Sequence, residues 1–141
     1  MRHRNTKAIL NRPADQRRAL MRNQMTSLFL SGAIKTTDAK AKALRSEVEK
    51  LITRVKSRLA KKEEASAIRE LKKVLYTEAS QRKALAFIRE TKQTSGYTRL
   101  VRVDYRAGDA ALEIQVQLLS DKEGIQRSDK TFSKKTVCGT S

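Results

Sequence analysis

The clearest hydrophobic pattern in the chain is a helical one in its second quarter. Apolar residues recur there at spacings of three, four and seven, which places them on one face of a helix. They are Ala41, Leu44, Val48, Leu51, Ile52, Val55 and Leu59. The remaining faces are rich in Lys and Arg, and the later lysines of this helix are interpreted as part of a solvated face. The pattern predicts an amphipathic helix of about twenty residues, or about 30 Å, with Thr37 or Asp38 as its N-terminal cap.

An earlier helix is predicted to begin near residue 12 or 13, because Pro13 is tolerated in a first helical turn. Its apolar face forms only in the second half, and Gly32 is suited to end it in a left-handed conformation. The first turns, which carry Arg17 and Arg18, have little to bury and should project from the body. The apolar face comprises Met21, Met25, Leu28 and Phe29.

Two shorter helices are predicted after the amphipathic one. The third spans Glu63–Tyr76 and should turn Ile68, Leu71 and Leu75 inward, with acidic residues near its start that suit the helix dipole. The fourth spans Glu78–Thr91, and its inward residues are Ala84, Leu85 and Ile88.

From Tyr97 onward the hydrophobic period changes to two. Alternating runs on either side of the turn Ala107–Asp109 predict an antiparallel hairpin. A lone hairpin is marginally stable, so the β-branched segment Ile34–Thr37 is predicted as a third strand. The predicted fold is therefore α+β, with four helices and a small three-stranded mixed sheet that ends in an antiparallel hairpin.

The two ends of the chain lack these periodic patterns. Residues 1–11 are predicted to be an extended basic arm. Residues 120–141 contain seven Ser or Thr and few large apolar residues, which is typical of a flexible tail. The chain is therefore interpreted as one domain, 1–119, with its arm at the start and a tail after it.

Charge narrows the function classes. Lys and Arg number 32 against 15 Asp and Glu, so the formal net charge is +17. The excess falls along the chain, from +6 in the first 25 residues to +2 after residue 95. Such a surface attracts polyanions. Nucleic acid is the leading interpretation of the partner, and an anionic membrane surface is the alternative. The sequence contains no run of about 18 apolar residues, so it does not predict a membrane-spanning helix.

Residues suited to catalysis are scarce. The single cysteine, Cys138, and the single histidine, His3, would meet only if the two termini did. The five glycines form no phosphate-cradling loop. Acidic residues are scattered beside Lys and Arg. The sequence offers no convincing acid–base pair, metal cluster or nucleophile, so it does not predict an enzyme. An organelle transit peptide, typical of acid-poor and Arg-rich starts, is disfavoured because no break in composition follows it.

Several short blocks occur together in a characteristic order. They are Met1–Arg4, Leu10–Arg12, Arg17–Asn23, Ile34–Arg45, Glu49–Thr53, Gly96–Arg99 and Arg106–Asp109. This combination, from Met1 to about Leu119, closely resembles the bacterial large-subunit ribosomal protein seventeen family. The block that begins Ile34-Lys35-Thr36-Thr37 is the most specific of them.

The resemblance implies a structural ribosomal protein of the cytoplasm with an α+β fold. Family members bind large-subunit ribosomal RNA, the 23S rRNA, on the outer face of the subunit near the exit of the peptide tunnel. They contact neighbouring ribosomal proteins, including protein thirty-two, and have no catalytic residues or cofactor. We expect that the protein does not bind a membrane, has no small-molecule substrate and does not form a homo-oligomer. The alternative is a basic DNA-binding or nucleoid protein, although the element Ile34–Thr37 disfavours a helix-turn-helix.

Arg and Lys would neutralise phosphates and release counterions, and Arg adds bidentate contacts. With only three Phe and three Tyr, base stacking is not the expected mode. Each group of candidate residues also has an interpretation without RNA. The N-terminal arm would be a solvated tail, the lysines near the amphipathic helix would lie on a solvated face, and Arg99 would stabilise the sheet. The candidate RNA-binding residues are Arg2, His3, Arg4, Lys7, Arg12, Arg17, Arg18, Arg22, Lys35, Lys40, Lys42 and Arg99.

Overall fold

The structure, a computed structural model, describes residues 8–119 of the chain. It contains four helices and a three-stranded sheet, which confirms the predicted α+β class. The predicted tail, 120–141, with Cys138, lies outside the described residues. In chain order the elements are α1 (Ala14–Ser31), β1 (Ala33–Thr37), α2 (Asp38–Ala60), α3 (Glu64–Val74), α4 (Glu78–Glu90), β2 (Thr98–Tyr105) and β3 (Leu112–Leu118).

Helix α2 is the centre of the molecule. It contacts all three strands as well as α1, α3 and α4, so its apolar face forms much of the core. Five large aliphatic side chains on that face have no exposed surface, and burying each one contributes about 1.5–3 kcal/mol. These residues are Leu44, Val48, Leu51, Ile52 and Val55.

The ends of α1 follow the local chemistry of Pro and Gly. The helix begins at Ala14, directly after Pro13, whose ψ of 157° is not helical. It ends at Gly32, which adopts a φ of +77° and donates its N–H to the Leu28 carbonyl at 2.8 Å. A left-handed glycine closing a helix in this way is a common terminator, and Gly32 confirms the prediction from the sequence.

Helices α3 and α4 lie close to their predicted positions, with two differences. Helix α3 ends two residues early, at Val74, because Leu75 adopts an extended conformation with a ψ of 134°. The prediction that Ile68 points inward is wrong, since 38% of its surface is exposed. Helix α3 uses Ala67 and Leu71 for packing instead, and both are buried.

The sheet has the order β1-β3-β2, and both neighbouring pairs are antiparallel. The predicted mixed sheet is therefore wrong. Strand β2 runs in the same direction as β1, and the hairpin then returns β3 between them, antiparallel to each. Parallel neighbours would have required β2 to pair with β1 directly.

Residues 8–11, the described end of the predicted extended arm, are not extended. The Arg12 N–H donates to the Ile9 carbonyl at 3.3 Å. Leu10 and Asn11 both have positive φ, at 56° and 50°. This turn brings Leu10 against the core, so the chain is anchored to the body before α1 begins.

The hairpin projects beyond the helices. Residues 101–110 are all exposed, and an extra residue between Arg102 and Asp104 forms a bulge in β2. At the tip, Arg106 holds Asp109 through two hydrogen bonds, at 2.6 and 3.1 Å. Donation by the Arg106 guanidinium, and then by the Ala111 N–H, lowers the pKa of Asp109 to about 2.

Candidate nucleic-acid interface

Three of the candidate arginines lie at the N-terminal edge of α1. Arg12 is in the preceding turn, and Arg17 donates to the Arg12 carbonyl at 3.5 Å. Arg18 pairs with Asp15 at 3.5 Å, and their side chains are 79% and 94% exposed. A pair as exposed as this contributes little to stability. The edge therefore presents two exposed arginines, Arg12 and Arg18, that are available to bind phosphate, beside the half-buried Arg17.

Arg22 has a different environment, although it follows on the same helix. Its Nε donates to the Val74 carbonyl at 3.2 Å, and its Cζ lies 4.1 Å from the centre of the Tyr76 ring. Nearby, the Tyr76 N–H donates to the Thr26 hydroxyl at 3.3 Å. Arg22 thus connects α1 to the α3–α4 linker, a role that sequence reasoning missed because both partners are about fifty residues away.

The candidate lysines at the start of α2 meet an acidic residue. Thr37 precedes the helix, but its side chain makes no capping hydrogen bond. Lys42 donates to Asp38 at 2.7 Å, while Lys40 is half-buried. The Asp38 carboxylate occupies the end of the helix where the positive dipole would favour a phosphate. This end is therefore less attractive to an anion than the lysines alone suggested.

Lys35 and Arg99 share one surface, the outer face of the sheet. Opposite residues in an antiparallel pair point to the same side. Lys35 lies opposite Gln115, and Arg99 lies opposite Gln117. The inner face, which includes Ile34 and Leu100 with the buried Ile114 and Val116, packs on the helices. The structure thus brings together two candidate residues that are 64 positions apart in sequence.

Other cations are used inside the helical layer. The Glu70 side chain, only 13% exposed, lies 3.3 Å from both Arg58 and Lys73 and 3.9 Å from Arg54. Its hydrogen bond with Lys73 is the main cause that lowers the pKa of the Glu70 carboxyl. This cluster joins α2 to α3 through Arg54 and Arg58, two cations on the polar faces of the amphipathic helix.

Lys56, one of the later lysines of α2, does not lie on a solvated face, so that interpretation is wrong. Its Nζ donates to the Thr91 carbonyl at 2.9 Å and also to the Gln93 carbonyl. It lies 5.6 Å from the centre of the buried Tyr97 ring. The spacing of Lys56 four residues after Ile52, on the edge of the apolar face, was a signal that could have identified it.

The remaining candidates, Arg2, His3, Arg4 and Lys7, lie outside the described residues. Among residues 8–119, no group of three or more His, Cys, Asp and Glu side chains is arranged to hold a metal ion. In the same part of the chain, no helix is long and apolar enough to cross a membrane.

Comparison with known proteins places these features in a family. The family model described as Ribosomal protein L17 matches residues 20–119. Two curated proteins, both named large ribosomal subunit protein bL17, are similar over most of their lengths. The one from Desulforapulum autotrophicum is 39% identical over 126 residues, which cover 86% of this chain and 99% of the relative. The one from Gemmatimonas aurantiaca is 38% identical over 119 residues, covering 84% and 98%.

A third relative of the same name, from Staphylococcus haemolyticus, is 38% identical over 122 residues. These cover 78% of this chain and 95% of the relative. The resemblance inferred from the short sequence blocks is confirmed: the chain belongs to the ribosomal protein L17 family.

Proposed function

We propose that this protein is a structural constituent of the large subunit of the cytoplasmic ribosome, where it binds and stabilises the ribosomal RNA. Its family membership and the names of its relatives support this role in translation. The proposal has three finer parts. The RNA is the 23S rRNA, the protein lies near the peptide exit tunnel, and it contacts neighbouring ribosomal proteins, including protein thirty-two. These parts rest on the family resemblance.

The observation that supports RNA binding is the group of arginines at the start of α1, of which Arg12 and Arg18 are exposed. Arg12, Arg17 and Arg18 lie within two helical turns, and Asp15 alone among the neighbouring acids opposes them. Arginine forms bidentate contacts with phosphate, and neutralising phosphates releases counterions. We include Arg2, His3, Arg4 and Lys7, which precede this group in sequence, together with Lys35, Lys40, Lys42 and Arg99. Arg22 stays in the set with a structural role beside it.

The alternative, a DNA-binding or nucleoid protein, finds no support in the arrangement of the helices. A helix-turn-helix joins its two helices by a short turn of about three or four residues. Here the strand Ala33–Thr37 separates α1 from α2 and pairs with β3. Because the L17 family is a structural, non-enzymatic component of the ribosome, no catalytic role is proposed.

Sedimentation tests the proposal directly. A lysate containing the tagged protein is treated with DNase and separated on a sucrose gradient at moderate magnesium concentration. We expect the protein to migrate with the large subunit and to remain there after a moderate salt wash. Recovery with chromosomal DNA alone, in a parallel lysate without DNase, would overturn the proposal in favour of the nucleoid alternative.

A further inference from the structure

The outer face of the sheet combines two amides with two cations. Gln115 and Gln117 lie on the central strand β3, two residues apart, so both side chains point outward. Lys35 flanks Gln115 on β1, and Arg99 flanks Gln117 on β2. Since neighbouring strands are about 4.8 Å apart, the two outer strands are separated by about 10 Å. The cations therefore stand on opposite sides of the amide pair.

None of these four side chains makes a hydrogen bond or ion pair with another residue in the range 8–119. Their environment contrasts with that of Lys56, which is bonded to two carbonyls. The helices that contact the strands are α1 and α2, and the strand residues in the core with them, such as Ile34, Ile114 and Val116, belong to the inner face. The hydrogen-bonding groups of the four side chains are therefore available to a partner.

The chemistry of this face fits RNA. An amide offers both donors and an acceptor, and the ribose 2′-hydroxyl is likewise a donor and an acceptor. The minor groove of A-form RNA is wide and shallow and displays these hydroxyls between two phosphate backbones. A flat surface with central amides and a cation on each side matches that arrangement. Val101 is the one large apolar side chain in these two rows, so the face offers little to a hydrophobic protein partner.

Acidic residues limit the surface on the hairpin side. The next row pairs Thr37 with Glu113 on one side and Asp104 with Glu113 on the other. Two carboxylates there would repel a phosphate backbone. The face suited to RNA is therefore the half of the sheet nearest Gly32.

We propose that the outer face of the sheet docks on the minor groove of a helix of the ribosomal RNA. In this arrangement Gln115 and Gln117 contact ribose 2′-hydroxyls, while Lys35 and Arg99 each contact a flanking phosphate. The inference rests on the proposed function, since it takes RNA as the partner. It adds two uncharged residues to the interface and a means to distinguish RNA from DNA.

Two double variants of the full chain separate the charged and uncharged contributions. The probes are a large-subunit rRNA transcript and a DNA duplex of random sequence, and Kd is measured over a range of salt concentrations. For K35A/R99A we expect rRNA affinity to fall about tenfold and the slope of log K against log salt to decrease by about 1.5, which corresponds to two lost phosphate contacts. For Q115A/Q117A we expect rRNA affinity to fall severalfold, with the salt slope and DNA affinity unchanged.

A matched control removes the same charges from the helical side of the molecule. Lys72 and Arg82 are exposed on α3 and α4, so K72A/R82A should retain nearly wild-type affinity. Circular dichroism melting verifies that every variant is folded. If wild-type protein prefers DNA to rRNA, the proposed function fails. If wild-type binds rRNA and both sheet variants equal the control, the sheet inference alone is overturned.

A photo-crosslinking amino acid in place of Gln115 gives an independent readout in assembled ribosomes. Crosslinks to ribosomal RNA support the proposal even if the alanine variants prove unstable. Crosslinks to a neighbouring protein without any to RNA would overturn it, because they would assign this face to a protein partner.

Discussion

The basic residues of this protein fall into two regions that differ in how their hydrogen bonds are used. In the helical layer, Arg58 and Lys73 surround Glu70, and Lys56 is bonded to loop carbonyls. At the N-terminal edge and on the outer sheet face, the cations have no partner among the described residues or only an exposed one, as for Arg18. The same residue types therefore hold the fold together in one region and remain available in the other.

This difference shows why net charge is a poor guide to the position of an interface. Residues 26–60 carry an excess of +5, almost as large as the +6 of the first 25 residues. Yet the second half of α2 directs several of its cations to α3 and to the loop after α4. A cation that is already satisfied inside the protein gains less from a phosphate, because binding must first replace an existing interaction.

The largest expected effect comes from deleting residues 1–7, which removes Arg2, Arg4 and Lys7. If each contacts one phosphate, the salt slope of rRNA binding should decrease by about 2 to 3, and affinity near 0.15 M salt should fall about a hundredfold. Thermal stability should change little, since the core residues that the structure describes begin at Leu10. Filter binding across a salt series and a thermal melt provide the two measurements.

The control for this deletion removes three cations from helices α3 and α4: Lys73, Arg82 and Arg89. Replacing all three by Ala should reduce affinity only a few-fold. An effect as large as that of the deletion would mean that the interface responds to total charge, and the contrast between the two regions would fail. Extending the deletion through residue 11 should also lower stability, because Leu10 packs against the core.

A matched pair within α1 tests the contrast one helical turn apart. Arg22→Ala removes the hydrogen bond to Val74 and the contact with the Tyr76 ring, so we expect a loss of about 2 kcal/mol in the free energy of unfolding. Arg18→Ala removes only an exposed ion pair, so the stability loss should stay below about 0.5 kcal/mol. Urea unfolding measures both values.

For rRNA affinity, the two variants should show the opposite order from their order in stability. Measured on folded protein, Arg18→Ala should reduce affinity more than Arg22→Ala, because Arg22 is engaged with the α3–α4 linker. Equal stabilities for the two variants would show that the Arg22 contacts contribute nothing to the fold.

Much of the fold follows from local sequence patterns. Three features could be predicted because short-range geometry determines them. They are the apolar face of α2, the ends of α1 at Pro13 and Gly32, and the alternation in β3. The place of β1 in the sheet could not be predicted, since nothing local in that segment shows whether it pairs with β2 or with β3. The exposure of Ile68 could not be predicted for a related reason. Which face of α3 is buried depends on how the helix packs against α2, and the α3 sequence alone does not show this.

For the candidate site, the sequence could identify residue types but not their partners. It predicted Lys35 and Arg99 separately, and only the pairing of β1 and β2 with β3 places them on one face. In the sequence, Gln115 and Gln117 are simply two polar positions of an alternating strand. Their relation to the cations depends on register, which a single sequence does not reveal.

The smallest expected effect concerns a cation on the sheet side that is held within its own loop. Arg106 and the Ala111 N–H both donate to Asp109, and the pKa of that carboxyl is lowered from 3.8 to about 2. Because the folded pKa is the lower one, the stabilisation is fully present above pH 3.8 and is lost as the pH falls through about 2.

In an NMR titration of the folded protein, the Ala111 amide should therefore shift with a midpoint near pH 2, following the lowered pKa of Asp109. Asp109→Asn should abolish this step and raise rRNA affinity only slightly, because the variant frees a single cation, Arg106, from its acidic partner. A midpoint near 3.8, the ordinary value, would show that the pair does not form in solution. Arg106 would then belong with the available cations, because nothing in its own loop would hold it.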